Sequence, residues 1–260
     1  MCFDADSEPP IPPLGGGAYA SGRLELVGTD GNRFAAFEAR AGDVPTRAAM
    51  LILPDVRGLY TFYEELALRF AEAGIDALAI DYFGRTAGTA PRDARFDFGA
   101  HSEQTTWTGL RADIETGARR LAGAAGPREG GRSLFSVGFC FGGRLSYLCS
   151  TLREPAFAGV IGFYGWPSGP SRGGSPAPAD LVADIGCPVL GFFGGADQGI
   201  PVSAAEAFRT TLEAAGVPHE IVIYPDAPHS FFDRKQAEFQ TESDDAWGRT
   251  LAFVRANAGA

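Results

Sequence analysis

The stretch Ser133–Gly143 reads SLFSVGFCFGG, and the interpretation of the whole chain starts from it. An apolar run typical of a buried strand leads directly into glycines around Cys140, and a helical pattern follows. Glycines suit a strand-turn-helix elbow because the turn is tight and leaves no room for Cβ atoms where the two backbones approach. The stretch therefore predicts a cysteine displayed as a nucleophile at the apex of the elbow. The alternative is a buried core cysteine, which is the usual fate of this residue type.

The pattern around this elbow predicts the α/β class. From Ala48 onward, apolar runs bounded by Gly, Pro and Asp alternate with amphipathic segments, as in a mostly parallel sheet with helices on both faces. Upstream, Thr29-Asp30-Gly31-Asn32 predicts an N-terminal antiparallel hairpin. The predicted strands are residues 23–27, 33–39, 48–53, 76–80, 133–139, 158–164, 188–193 and 220–224. Capping-box patterns at 61–64 and 203–206 predict two helix starts, and a last helix is expected at about residues 244–256.

Length and composition favour one folded domain with a short extension. Residues 1–22 are rich in proline and glycine and predict an arm that lies on the surface or is disordered. Residues 23–260 are expected to form a single domain, because α/β domains reach this length without splitting. Hydrophobic content of 45% and charged content of 21% are ordinary for a globular protein and do not favour disorder.

Charge and hydropathy exclude several classes of partner. The formal net charge is -10 and Lys235 is the only lysine, so no basic tract is available for nucleic acid. No apolar run approaches the roughly 20 residues that span a bilayer, and no secretory leader is recognised, so no membrane association and a cytoplasmic location are expected. No phosphate-binding loop or dinucleotide fingerprint occurs, which argues against nucleotide-dependent enzymes.

The cysteines and histidines do not predict a metal or a disulfide framework. Cys2, Cys140, Cys149 and Cys187 form no C-x-x-C pair and are expected to be reduced thiols. The three histidines are far apart and form no H-x-x-x-H pair. We therefore expect neither metal nor cofactor.

Two further residues complete a nucleophile, acid and histidine order along the chain. His229 follows a predicted strand in the loop APHSF, where its ring can reach the sheet edge, whereas His219 opens a strand and His101 precedes a helix. Asp197 lies in FGGAD, where glycines let the loop bend toward the histidine. Asp226 is the competing acid, although its place three residues before His229 suits a turn former. A purely structural histidine is the alternative for His229.

Acyl transfer at such a site also needs donors for a developing oxyanion. The usual donors are the backbone N–H after the nucleophile and one from the loop after an early strand, here Phe141 and Val56. Loss of one such donor costs about 3 kcal/mol of transition-state stabilisation.

These residues resemble the dienelactone hydrolase family of α/β hydrolases. The similarity runs from about residue 24 onward, and the cysteine in G-x-C-x-G-G is its most specific part, because most α/β hydrolases carry serine there. The resemblance implies a single-domain α/β-hydrolase fold and a hydrolase that cleaves an activated lactone or ester through a thioester acyl-enzyme. Cys140 would be the nucleophile, His229 the base and Asp197 its orienting acid. A small-molecule substrate and a monomer or homodimer are expected.

The resemblance also suggests residues that control the thiol and bind substrate. The family carries an acidic side chain after the early strand that restrains the resting thiol, and Asp55 stands at this place; a turn or N-cap role is the alternative. The family holds a substrate carboxylate with two arginines. Arg95 aligns with the first, with Arg85 and Arg92 nearby, and Asp233 stands at the place of the second, with Arg234 one step away. An exposed surface role is the alternative for each arginine.

Two other functions use the same residues. The first is a carboxylesterase or thioesterase that acts on neutral esters, because the anion clamp of the family is incomplete. The second belongs to another class, a non-catalytic small-molecule binder or a thiol redox sensor on the same scaffold.

Overall fold

A computed structural model describes residues 4, 6–15, 20–42, 47–93, 95–123 and 132–259. Cys2, predicted to be a reduced thiol, lies outside the described residues. Eight strands form the sheet: β1 Ser21–Val27, β2 Arg33–Ala39, β3 Ala48–Leu53, β4 Asp76–Ile80, β5 Ser133–Phe139, β6 Gly159–Phe163, β7 Val189–Gly194 and β8 His219–Tyr224. The α-helices are α1 Thr61–Glu72, α2 Gly84–Ala87, α3 Phe98–Ser102, α4 Trp107–Gly123, α5 Phe141–Cys149, α6 Val202–Ala214 and α7 Gln240–Asn257.

The strands form one twisted layer in the order β1-β2-β4-β3-β5-β6-β7-β8. Only β2 runs against the others, because β1 and β4 both pair with it antiparallel while the remaining neighbours pair in parallel. The predicted hairpin and parallel sheet are therefore present. Since the carboxyl ends of the parallel strands meet at one edge, the loops that follow β3, β5, β6, β7 and β8 converge there.

Helices cover both faces of this sheet, as predicted. Right-handed crossovers that move in opposite directions along a sheet lie on opposite faces, so α1, between β3 and β4, lies opposite α4, between β4 and β5. The helix α7 joins α1 through Phe70 and Trp247, whose ring centroids are 4.9 Å apart. On the other face, α5 and α6 meet through Tyr147 and Phe208, at 5.1 Å. No helix in the described ranges is long and apolar enough to cross a membrane.

A helix begins at each of the two predicted places, but the predicted capping boxes are not formed. The N-caps are Tyr60 for α1 and Pro201 for α6, and neither cap makes a side-chain hydrogen bond. Thr61 and Ser203 are already inside the helices, so their hydroxyls are too far along to act as N-caps. The φ of -66° at Pro201 positions the chain for the helix without a side-chain cap.

The described part of the predicted N-terminal arm is more firmly attached than the composition indicated. Ser7 and Ile11 are buried. The Ser7 hydroxyl donates a 2.6 Å hydrogen bond to the Asp233 carboxylate, and the Arg234 amide donates to the Glu8 carbonyl at 2.9 Å. These contacts connect the start of the chain to the loop after β8, the loop that also carries the predicted catalytic histidine.

The elbow between β5 and α5 brings the helix and sheet backbones into close contact. A Cβ on Gly138 would lie 1.9 Å from the Gly142 carbonyl oxygen, and a Cβ on Gly142 would lie 2.1 Å from the Leu53 carbonyl oxygen. A Cβ on Gly143 would lie 2.7 Å from the Phe163 carbonyl oxygen. These contacts are with backbone atoms that cannot move aside, so only glycine allows α5 to start so close to β3 and β6.

A pair of glycine substitutions tests this constraint. Gly142→Ala should lower the free energy of unfolding by about 3 kcal/mol, because its methyl group must displace backbone. Gly248→Ala is the matched control, since this glycine lies in α7 with nothing within 4 Å of an added Cβ. It should raise stability by about 0.5–1 kcal/mol through helix propensity. Urea denaturation followed by circular dichroism measures both, and equal effects would contradict the constraint.

Candidate active site

A cavity of about 770 Å³ opens at the carboxyl edge of the parallel strands. Five of the eight predicted site residues line it: Val56, Cys140, Phe141, Asp197 and His229. They come from the loops after β3, β5, β7 and β8, which explains how residues up to 173 positions apart meet in one place.

Cys140 is at the apex of the elbow and in a strained conformation. Its φ is 54° and its ψ is -113°, and it is the N-cap of α5. Its backbone amide donates to the Phe163 carbonyl at 3.0 Å, which ties the apex to β6. The helix N-terminus beside the sulfur favours negative charge there. By contrast, Cys149 and Cys187 are buried, and burial raises the pKa of the Cys187 thiol to about 12.

His229 and Asp197 are directly hydrogen-bonded. The distance from His229 Nδ1 to Asp197 Oδ2 is 2.7 Å, and a carboxylate can only accept, so Nδ1 is the protonated ring nitrogen. The competing acid, Asp226, is exposed on the turn before this loop. His219 hydrogen-bonds the Val217 carbonyl through its own Nδ1, at 2.7 Å, and belongs to β8.

The carboxylate of Asp197 is fixed from both sides. Its other oxygen accepts from the Gly199 amide at 2.7 Å and the Ile200 amide at 3.0 Å. Burial raises the pKa of the Asp197 carboxyl, but the hydrogen bond and charge of His229, together with these amides, outweigh burial and bring the pKa below its ordinary value. The carboxylate therefore stays ionised and holds the ring in one orientation.

Backbone strain is concentrated at this cavity. Among the residues that the structure describes, three that are not glycine have positive φ: Cys140 at 54°, Tyr164 at 39° and Ser230 at 59°. All three line the cavity. Strained residues persist only where the surrounding structure holds them, and they cluster at active sites. Tyr164 and Ser230 were not predicted as site residues: Tyr164 lies outside any recognised motif, and only His229 was singled out in the APHSF loop that contains Ser230.

Asp55 is fully buried and is not among the residues that line the cavity. Its Oδ1 accepts from the Arg57 amide at 2.8 Å, an Asx turn, which agrees with the turn role considered for it. It is not the N-cap of α1, a position that Tyr60 occupies. Burial, and then the charges of Cys140 and Asp55, raise the pKa of the Tyr164 phenol, so both acidic groups are within electrostatic reach of one buried side chain. Restraint of the thiol by Asp55 stays a prediction.

Neither predicted substrate-binding arginine is among the residues that line the cavity. Arg85 forms ion pairs with Asp113 of α4 and Asp30 of the hairpin. The Arg95 side chain is 92% exposed and pairs with Asp93. The alternative considered for Arg95, an exposed surface role, matches this position, whereas Arg85 links elements away from the cavity.

The cavity is instead completed by residues that the sequence did not indicate. They include Asp4, Arg144, Trp166 and Arg172. Asp233, which the sequence analysis placed at the position of the family's second arginine, also lines the cavity. Arg144 is four residues after the nucleophile, so helical spacing could have placed it on the same face of α5. The others come from the N-terminal segment and from long loops, whose paths carry no periodic signal.

The fold and these loops define an α/β hydrolase, and comparison with known proteins identifies the family. The sequence profile of the dienelactone hydrolase family matches residues 34–257. This chain belongs to that family, which confirms the predicted resemblance. The prediction of a hydrolase that acts on carboxylic ester bonds is confirmed at this level.

Individual relatives agree with this assignment. A candidate carboxymethylenebutenolidase of Methylorubrum extorquens is 29% identical over 240 residues, covering 90% of this chain and 80% of the relative. A candidate 2-oxo-3-(5-oxofuran-2-ylidene)propanoate lactonase of Bradyrhizobium sp. is 27% identical, covering 88% and 92%. The crystal structure of a candidate dienelactone hydrolase from Klebsiella pneumoniae superposes with a TM-score of 0.71 at 26% identity, covering 92% of this chain and 99% of that structure.

The Asp197–His229 pair should make stability depend on acid pH. A carboxyl whose pKa is lowered by folding contributes stability above its unfolded value, and that contribution is lost as pH falls through the folded value. The difference in unfolding free energy between the wild type and Asp197→Asn should therefore shrink as pH falls below about 4. Urea denaturation at a series of pH values from 6 to 2.5 measures the difference. A gap that stays constant over this range would contradict the lowered pKa.

Proposed function

We propose that the protein hydrolyses activated lactones or esters through Cys140, His229 and Asp197, with a thioester acyl-enzyme. The single observation that carries the proposal is the convergence of three features on one cavity: a strained cysteine elbow, a histidine loop and a 2.7 Å histidine–aspartate hydrogen bond. Membership of the dienelactone hydrolase family supports the same reaction class.

In the proposed reaction, Asp197 holds His229 with Nδ1 protonated, which leaves Nε2 to accept the thiol proton of Cys140. The thiolate attacks the substrate carbonyl and forms a C–S bond. The tetrahedral intermediate collapses, the C–O bond breaks, and the alkoxide or enolate oxygen takes the proton from His229; this group departs from an ester and stays attached to the acyl group in a lactone. Water, deprotonated by His229, then attacks the thioester, the C–S bond breaks, and the sulfur regains the proton from His229 as the acid product leaves.

The backbone N–H groups of Val56 and Phe141 would bind the oxyanion of each tetrahedral intermediate. Both residues line the cavity. Phe141 is the first residue of α5, where the backbone N–H has no acceptor within the helix and points out of its N-terminus. The same helix end supports the thiolate before attack and the oxyanion after it.

Substitution of the nucleophile tests the proposal. Cys140→Ala should reduce kcat/KM by about three orders of magnitude or more on a panel of enol lactones and aryl esters, because covalent catalysis is lost. Cys187→Ala is the matched control; its buried thiol is not among the cavity residues, so the activity should be unchanged. Mass spectrometry of acid-quenched wild type should detect an acyl group on Cys140. Full activity in Cys140→Ala, or a wild type without activity on any compound of the panel, would refute the proposed function.

A substitution of the proposed base distinguishes catalysis from redox sensing. Labelling of Cys140 by a chloromethyl ketone ester analogue should slow at least tenfold in His229→Ala, because the imidazole no longer removes the thiol proton. Labelling that is independent of His229 would favour a sensor or a non-catalytic binder instead.

One observation favours neutral esters or thioesters as a second candidate substrate class. Arg85 and Arg95 are not among the residues lining the cavity, whereas Asp233 is, and it is buried there. A substrate carboxylate beside Asp233 would be repelled.

This second candidate predicts a charge preference. The methyl ester of a lactone carboxylic acid should be hydrolysed at the lactone with a kcat/KM at least equal to that of the free acid, because neither predicted arginine lines the cavity and the donors of Arg144 are all engaged. Steady-state kinetics on the two compounds measures the ratio. An activity that requires the free carboxylate would contradict the neutral-ester candidate and restore the dienelactone-like substrate.

A further inference from the structure

Arg144 is a buried charge one turn after the nucleophile. Its side chain is 2% exposed, its amide donates to the Cys140 carbonyl at 3.3 Å, and it lines the cavity with Cys140. Neither the proposed reaction nor the stability of α5 itself requires an arginine here. A buried guanidinium is costly unless every donor is satisfied, so its partners indicate what it does.

All partners of the guanidinium belong to one segment, residues 166–175, which follows β6. Nε donates to the Ser175 hydroxyl at 3.1 Å. Nη1 donates to the carbonyls of Trp166 at 3.3 Å and Ser168 at 3.1 Å. Nη2 donates to the carbonyls of Gly169 at 2.8 Å and Ser175 at 2.9 Å. The five N–H groups of an arginine thus all have acceptors, in the planar fork that only this side chain offers.

This segment has little structure of its own, but it forms one wall of the cavity. Apart from a short 3-10 turn at Arg172–Gly174, it contains no helix or strand. Four of its residues line the cavity: Trp166, Pro170, Ser171 and Arg172. Trp166 is 38% exposed and is the large apolar side chain of this segment in the cavity lining.

The charge of Arg144 is not neutralised by an ion pair in the part of the chain that the structure describes, because its hydrogen bonds go to carbonyls and a hydroxyl. Burial lowers the pKa of Arg144, and the charge of Asp180 acts in the opposite sense. The carbonyl groups bind the guanidinium through their dipoles but carry no net charge, so its positive charge is not neutralised. The cavity lining therefore contains a fixed positive charge, carried by the helix that Cys140 caps.

We propose that Arg144 is a positioning residue that holds residues 166–175 in place as the cavity wall facing the acyl group, while its charge favours the thiolate of Cys140. The catalytic part of this inference rests on the proposed function. The part in which Arg144 holds residues 166–175 in place does not depend on it. The nucleophile and the substrate wall are thereby fixed to the same helix.

Two substitutions separate the effect of the forked donor geometry of Arg144 from the effect of its positive charge. Arg144→Lys keeps the charge but has three donors at one point, and Arg144→Gln removes both. Arg209→Gln is the matched control, because Arg209 also donates to a backbone carbonyl, that of Ile221 at 2.9 Å, and is not among the cavity residues. Circular dichroism first establishes that each variant is folded.

Limited proteolysis measures how firmly residues 166–175 are held, independently of any hydrolase activity. Trypsin cleavage after Arg172, followed by mass spectrometry, should be at least tenfold faster in Arg144→Gln than in the wild type and the control, with Arg144→Lys between them. Ser175→Ala, which removes one acceptor, should show a smaller increase. Equal cleavage rates in folded wild type and Arg144→Gln would overturn the positioning role.

Two further measurements test the consequences. The pH midpoint of Cys140 alkylation by iodoacetamide should rise by about one unit in Arg144→Gln and stay near the wild-type value in Arg144→Lys. Relative to p-nitrophenyl acetate, the KM for p-nitrophenyl hexanoate should rise about tenfold in both variants. An unchanged midpoint in Arg144→Gln would overturn the charge effect, and equal changes for the two esters would overturn contact between wall and acyl group. A wild type inactive on both esters would refute the proposed function and leave proteolysis to decide the positioning role.

Discussion

The structure depends on how closely the start of α5 approaches the sheet. Gly142 lies against the Leu53 carbonyl and Gly143 against the Phe163 carbonyl, so the helix begins where β3 and β6 end. That approach forces Cys140 to a positive φ of 54° and places the residue in the lining of the cavity. The strained conformation persists because backbone contacts from two strands and the helix hold the apex in place, including the hydrogen bond from the Cys140 amide to the Phe163 carbonyl.

Electrostatics around the elbow complement this geometry. A helix N-terminus favours anionic sulfur, an ionised Asp197 holds His229 in the orientation needed to accept a proton, and Arg144 contributes a buried positive charge from one turn away. The two other described cysteines have none of these features, and burial raises the pKa of both thiols. Position in the fold, rather than residue type, therefore separates the candidate nucleophile from the structural cysteines.

Sequence patterns predicted the parts of the fold that local forces determine. Apolar runs predicted β3, β4 and β5 to the residue, and the glycine-flanked cysteine located the elbow, because close backbone approach has a direct sequence signature. Contacts between distant loops have none. Nothing local indicates that Ser7 bonds Asp233, or that the carbonyls of residues 166–175 surround Arg144. The same limit explains Arg85, whose partners on α4 and the hairpin are set by tertiary packing.

The charges lining the cavity bear on what it can bind. Arg144 has all its donors engaged, and Lys235 is paired with Asp6 of the N-terminal segment, so neither is free to grip a substrate anion. Arg172 is exposed at the cavity, and its guanidinium donates to the Ser102 hydroxyl at 2.8 Å. Asp233 contributes a buried negative charge, and its carboxylate accepts a hydrogen bond from the Ser7 hydroxyl. A carboxylate would gain the charges of Arg172 and Arg144 but would face the buried carboxylates of Asp197 and Asp233. An uncharged ester would leave the Ser7–Asp233 and Arg172–Ser102 hydrogen bonds undisturbed, which is the argument for the uncharged ester.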